Sequence, residues 1–565
     1  MIKKIVILSL LLFSAGVFLF SENTDLKNIS FQSDQVEDEL LSSLLNEMNH
    51  EELLGQVLML GYMGEEASPV ILEWISEHKI GGIKVFGWNA NNLSVLADTI
   101  GIMQKAALAT PLGIPLIVAT DQEGGWVRHV KGATSITPGN MAIGASGLPY
   151  DAYQTGLYIG RELRSLGINM NFAPTVDVYL NPLADVVGPR AFSNNPVQTG
   201  TLGTAFFKGM DDAGVISTAK HFPGHGNADK DSHGTLPIIN SDKEFLESND
   251  LIPYKMMIQE GLPAIMAGHL AFPHITGNDI PATLNPVFLR EILREEMGFE
   301  GLIITDDMVM QGAQRNRTLA QACEESLRAG SDLLLVSRTP REHEKIWDTL
   351  SKLIYEDEEF YQIVYQAAEH VLRTKVQYLK REDAVPYIPE YKTDRSTIPA
   401  TGSKDFFFNQ AARSTTLIRK NTIPLSENSS VLIAGMFSEF RYKGRDFFPD
   451  SKILRIPYSF DSKEKWEIVD SILEQADSYD SIIFSLSRYQ DLRVLKELSS
   501  LADQVVILSS LTPIYLNDLP WIRDAVAVYG TGEESFTAGF AAIRGDFTPT
   551  GKLPIPIDMP IPLEE

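Results

Sequence analysis

The sequence predicts an α/β protein in which an N-terminal (β/α)8 TIM-like barrel is followed by a smaller αβα sandwich domain. Three observations lead there. Eight short apolar runs recur up to about residue 380, and segments with helical spacing separate most of them. A second, shorter α/β rhythm begins after a stretch rich in proline and charge. Continuous apolar strands alternating with amphipathic helices imply a parallel sheet covered on both faces. Eight such units favour a closed barrel over an open doubly wound sheet.

In chain order, Lys3 and Lys4 precede an apolar run from Ile5 to Phe20. A charged head and an apolar run of this kind read as a secretory signal peptide over 1–21, with Ser21 the small residue before the cut. The run is shorter than the roughly 20 residues a spanning helix needs, and an uncleaved N-terminal anchor is the alternative reading. The expectation is an exported protein, periplasmic or extracellular, without an integral membrane domain.

The barrel is expected over 22–380. Its eight strand runs are VLMLGY (57–62), GGIKVFG (81–87), PLIVATD (115–121), NMNFAPTVDV (169–178), VISTAKHF (215–222), AIMAGHLAF (264–272), GLIITDDM (301–308) and DLLLVS (332–337). Segments such as SPVILEWISEHK and LAQACEESLRAG carry helical spacing between them. Residues 381–403, rich in Pro, Thr and charge, read as a linker. The αβα domain is expected over 404–565, with strands VLIAGMF (431–437), SIIFSLS (481–487), QVVILSS (504–510) and AVAVYGT (525–531). No catalytic constellation stands out there, so packing or support of the pocket edge is its expected role.

Composition excludes whole classes of function. The 565 residues carry a net charge of -26 and a pI near 4.8. An acidic surface repels phosphate backbones, so nucleic acid is not the partner. Cys323 is the single cysteine, which rules out an internal disulfide and a multi-cysteine metal site.

Several strand runs start apolar and finish polar: at Asp121, at Asp177, at Lys220 with His221, at His269, and at Asp306 with Asp307. In a barrel these ends converge on the rim where active sites of the fold are built. The loop KHFPGHGNADKDSH (220–233) is the densest in titratable groups. A metal cage of His221, His225, His233 and Asp231 is one reading, but barrel metal sites spread their ligands over several strands and an H-x-H is absent. No metal and no cofactor are expected. Asp231 and His233 stand two apart; a carboxylate beside an imidazole fixes its tautomer and raises its proton affinity, as a general acid near neutral pH requires. Asp306, ending an apolar strand, is positioned to attack an anomeric carbon. Asp307 suits a helix cap better.

KHFPGHG, DQEGG (121–125), PRAF (189–192), NFAPTVDV (171–178) and ITDDM (304–308), in this order, resemble glycoside hydrolase family 3. The DSH after KHFPGHG resembles its β-N-acetylglucosaminidase branch. The resemblance covers roughly 45–375, and the remainder is similar to the family's second domain. It implies a retaining exo-hydrolase of terminal β-linked N-acetylglucosamine, acting on a small carbohydrate without a metal. It makes Asp306 the nucleophile and Asp231 with His233 the acid/base pair. It matches Asp121, Arg190, Lys220 and His221 to positions that hold the sugar hydroxyls and acetamido group. One departure stands out. The family's sugar-binding arginine eight positions after the Asp is here His129, with Arg128 one residue earlier; either His129 takes over or the loop presents Arg128. Trp126 beside them either stacks on the sugar or packs on the rim. Rival readings are a phosphorylase or β-glucosidase of the same family and, in another class, a non-catalytic binder of muropeptides or chitin fragments.

Overall fold

The structure is a computed structural model that describes residues 29–184, 186–228, 234–337 and 339–557. The segment expected as a signal peptide, and Asp231 and His233 of the loop, lie outside the described residues.

The eight apolar runs each supply a parallel strand. They form β1 (Leu58–Gly61), β2 (Gly82–Val85) and β3 (Ile117–Thr120), then, after a hairpin of β4 (Gln122–Gly124) and β5 (Val127–Arg128), β6 (Met170–Asn171) and β7 (Ile216–Phe222). β8 (Ala264–Ala267), β9 (Leu302–Thr305) and β10 (Leu334–Val336) complete the set. The order is β10-β1-β2-β3-β6-β7-β8-β9, and a bridge between Ile304 and Leu333 joins β9 to β10 and closes the ring. Every residue of these eight strands is buried, as continuous apolar runs flanked by lumen and helices must be. Local signals set the helices between them. Ser68 caps Pro69–Ser76 through Ile71 N, and Thr318 forms a capping box with Gln321 at the start of Leu319–Ala329. Among the described residues no helix is long and apolar enough to cross a membrane.

The stretch expected as a linker is tied to the barrel. Tyr391 and Ile398 join the barrel's apolar core. Ala400 N donates to Glu162 Oε1 at 3.0 Å, and Ser135 Oγ donates to Ser403 Oγ at 2.7 Å.

The second domain has six strands where four were expected: β11 (Thr416–Arg419), β12 (Val431–Gly435), β13 (Lys452–Arg455), β14 (Ser481–Leu486), β15 (Val505–Ser509) and β16 (Asp524–Ala527). The order is β11-β16-β15-β14-β12-β13, parallel except for β11 against β16. The two additional strands are the edges. β13 reads Lys-Ile-Leu-Arg with no fully buried residue, so it lacks the apolar run that marks a central strand. One face of the sheet packs Ile433, Val506 and Leu508 against Phe440, Phe536 and Phe540 of two helices. The other face, with Leu432, Phe484 and Ile507, shares a core with Tyr179, Ala184, Val187 and Ala191 of the loop after β6. Pro554 O accepts from Ser193 Oγ at 2.9 Å and Asn194 N at 3.1 Å, pinning the chain's later residues to that same loop.

Candidate active site

The polar strand ends meet at one rim of the barrel, around a cavity of about 510 Å³. Asp121, Glu123, Arg190, Lys220, His221 and Asp306 all line it. Its floor is an alternating chain of charges. Lys84, from mid-β2, donates to Asp121 Oδ2. Lys220 Nζ donates to Asp121 Oδ1 at 2.5 Å and pairs with Glu123 Oε1 at 2.7 Å. Arg190 clamps Glu123 bidentately, Nε to Oε2 at 2.9 Å and Nη2 to Oε1 at 2.8 Å. Buried charges persist only when paired in this way. Burial works to raise the carboxyls, but Lys220 and Lys84 hold Asp121 well below the usual carboxylate range, and Arg190 and Lys220 bring Glu123 down to about 2. The floor stays ionised and rigid.

β7 brings the next layer. His221 Nδ1 lies 2.8 Å from Asp177 Oδ2, and an ionised carboxylate only accepts, so Nδ1 carries the proton. His221 N and His225 N donate to Asp177 Oδ1 at 3.1 and 2.7 Å. On its other side His221 Nε2 is 3.3 Å from Arg190 Nη2. The His225 ring is buried at the cavity wall, where burial lowers it to about 4, and among the described residues neither ring nitrogen has a partner.

Asp306 follows β9. Burial opposes its charge, but His221 and His269 outweigh that and hold its carboxyl below the usual range. Its Oδ1 accepts from Asp307 N at 2.8 Å. The neighbouring Asp307 behaves differently: burial pushes it up to about 6, and its Oδ1 accepts from Val309 N and Ser337 N, each at 3.2 Å, as a turn cap. His269 stands behind, with Nδ1 2.7 Å from Thr283 Oγ1 and Nε2 3.1 Å from Asp307 O. Two adjacent aspartates thus line one cavity in distinct environments, one held ionised and one capping a turn.

The hairpin after β3 separates Arg128 from His129. His129 lines the cavity, with Nδ1 3.7 Å from Asp121 Oδ2, and burial lowers it to about 4, so the ring is neutral. Arg128 is not among the lining residues; its Nη1 donates to Ser135 O at 3.0 Å on the other side of the hairpin. Adjacent residues of a strand point to opposite faces, which accounts for the division. Trp126 is half exposed and outside the lining as well.

Glu123, Lys84 and Trp88 are among the lining residues that escaped sequence reasoning. Glu123 could have been found, because it stands two after Asp121, on the same face of an extended segment. Lys84 left a fainter signal, a lone lysine in an apolar run that must find a buried partner. Trp88, in a short turn after β2, left none.

Residues 50–374 match the family described as Glycosyl hydrolase family 3 N terminal domain. The chain belongs to that family. It is 37% identical over 317 residues to "Beta-hexosaminidase A" of Pseudoalteromonas piscicida, an alignment spanning 50% of this chain and 53% of that one, about half its length. It is 35% identical over 268 residues to "Beta-hexosaminidase" of Neisseria meningitidis serogroup A, covering 46% of this chain and 72% of the relative. Among solved structures, a glycoside hydrolase family 3 β-N-acetylglucosaminidase from Paenibacillus sp. str. FPU-7 superposes with a TM-score of 0.81 at 27% identity, over 91% of this chain and 100% of that one. A chain of this family with these relatives is a glycosidase.

Proposed function

We propose that the enzyme is an exported, exo-acting, retaining hydrolase that removes terminal β-linked N-acetylglucosamine from cell-wall (peptidoglycan) or chitin-type oligosaccharides. The observation that carries this reading is Asp306, held ionised at the cavity wall across from a floor of paired charges that offers donors and acceptors to sugar hydroxyls. The names of the hexosaminidase relatives supply the sugar class. β-Glucoside-active neighbours superpose at 20% identity or below and speak for the fold alone.

In the proposed reaction a carboxylate oxygen of Asp306 attacks C1 and the glycosidic C–O bond breaks, leaving a glycosyl ester. His233, oriented by Asp231, gives its proton to the departing oxygen. It then takes a proton from a water that attacks C1, breaks the ester and restores Asp306. Two inversions leave the configuration unchanged. Asp121, Arg190, Lys220, His221 and neutral His129 hold the sugar in this scheme. A pocket that only binds needs no nucleophile opposite an acid, which speaks against the non-catalytic reading.

Trapping tests the assignment. A slow fluorinated N-acetylglucosaminide should leave the sugar attached to the peptide that contains Asp306. Asp306→Asn should cut turnover by at least about 10⁴-fold without unfolding the chain, because the amide fills the same space but does not attack. Label on another peptide, or accumulation of a cyclised acetamido intermediate, would overturn the nucleophile.

A further inference from the structure

The cavity has a largely buried polar floor and a mouth where apolar and polar groups mix. Lys84, Glu123 and Lys220 are nearly inaccessible, whereas the more accessible lining residues mix apolar Trp88, Val127, Val186 and Val309 with polar His129 and Ser337. Trp88 is the largest of them and is 47% exposed. One face of its indole is covered by Phe86, stacked with centroids 4.4 Å apart and planes 5° from parallel. The exposed surface therefore belongs to the opposite face. Its Nε1 donates to Tyr62 O at 3.2 Å, so the ring offers a ligand no donor, only that face.

The turn that carries Trp88 is fixed before any ligand arrives. Asn89 Oδ1 accepts from Phe86 N at 2.8 Å, and Asn89 Nδ2 donates to Tyr62 O at 3.1 Å and Gly64 O at 2.5 Å. Phe86 in turn lies 5.7 Å from the His129 ring and 5.1 Å from Lys84 Nζ, which connects the shelf at the mouth to the floor. A rigid aromatic face costs little conformational entropy on binding.

We propose that Trp88 is the platform for the ring on the leaving side of the scissile bond, and that this ring is a pyranose with equatorial substituents. The inference rests on the exo-hydrolase reading above. A substrate that enters a closed-bottomed pocket end first keeps its second unit at the mouth, where Trp88 lies. An all-equatorial pyranose presents axial C–H groups on its faces, an apolar surface with slight positive charge. The face of an aromatic ring is apolar and slightly negative, and so complements it. An axial hydroxyl would interrupt that surface. A peptide in this position would bring amides to Trp88, whose single donor is already engaged.

The test compares kcat/KM on a β-1,4-linked N-acetylglucosamine disaccharide with that on methyl β-N-acetylglucosaminide, two substrates with similarly poor leaving groups. Trp88→Ala should lose about tenfold more on the disaccharide than on the methyl glycoside, mainly through KM, a difference of about 1.4 kcal/mol. Trp88→Phe should recover part of that difference, and the tryptophan fluorescence of Asp306→Asn with Trp88 retained should change on titration with the disaccharide. Equal losses on the two substrates in both Trp88 variants would overturn the platform and leave the glycosidase intact. A wild type that cleaves neither substrate would overturn the exo-hydrolase reading and the platform with it.

Discussion

The barrel strands and the central strands of the second domain are built alike, from parallel apolar runs buried on both faces, yet their C-terminal ends differ. Those of the barrel lead into Asp121, Lys220, His221 and Asp306, whereas β12, β14 and β15 lead through Gly435, Ser487 and Ser510. No described residue beyond Ser337 lines the cavity at the barrel rim. The rhythm of strands and helices is common to both regions; ring closure is not. A closed ring brings its polar ends to a single point, while an open six-stranded sheet spreads them along an edge. Chemistry follows convergence, and the second domain contributes through the loop it packs.

The contrast can be broken at three places, in decreasing order of effect on catalysis. His233→Gly should slow cleavage of disaccharides by about 10²–10⁴-fold. Formation of the glycosyl-enzyme from nitrophenyl glycosides should suffer far less, because nitrophenolate departs without a proton. The basic limb of the pH profile should vanish in the same variant. Equal losses on both substrate types would place the proton donor elsewhere.

Glu123→Gln probes the floor. Glu123 titrates near 2 in the fold against about 4.5 unfolded, so it adds stability above pH 4.5 that is lost as the pH falls toward 2. The shift corresponds to about 3 kcal/mol. Denaturant titrations should show the variant less stable at pH 7 by about that amount, with the gap closing in acid. Its kcat/KM should fall as well, because Lys220 and Arg190 lose the carboxylate that positions them. A constant gap at every pH would mean that Glu123 acts through packing alone.

Phe540→Ala lies on the face of the second sheet turned away from the barrel, where Phe540 packs on Phe440 at 5.2 Å. It should destabilise that domain by about 3–5 kcal/mol and leave turnover per folded molecule unchanged. A fall in turnover of the folded fraction would show that the far face, too, reaches the site.

The strand runs of the barrel were legible because both faces of each strand are covered, which forces continuous apolar sequence. The edges β11 and β13 were not, because an edge strand has one unpaired side and needs no such run. Asp306, Lys220 and His221 could be read from their place at strand ends. Lys84 could not, because only ring closure turns alternate residues of β2 into the lumen, where Asp121 neutralises the ammonium. The composition of the linker gave no sign that it packs on the barrel: among its prolines and charges stand Tyr391 and Ile398, which are buried in the barrel core.

The shared core between the second sheet and the loop 179–191 has a consequence for the order in which the site is completed. Val187 and Ala191 flank Arg190, and the apolar cover over them includes Ile555 and Ile557. The loop is therefore synthesised long before its cover is. At about 5–20 residues per second, roughly 20–70 s separate the emergence of Ala191 from that of Ile557. Until that cover docks, a folded barrel carries an uncovered strip at Tyr179, Ala184 and Val187. The guanidinium that clamps Glu123 therefore draws the support of its neighbours from residues far later in the chain than Arg190 itself.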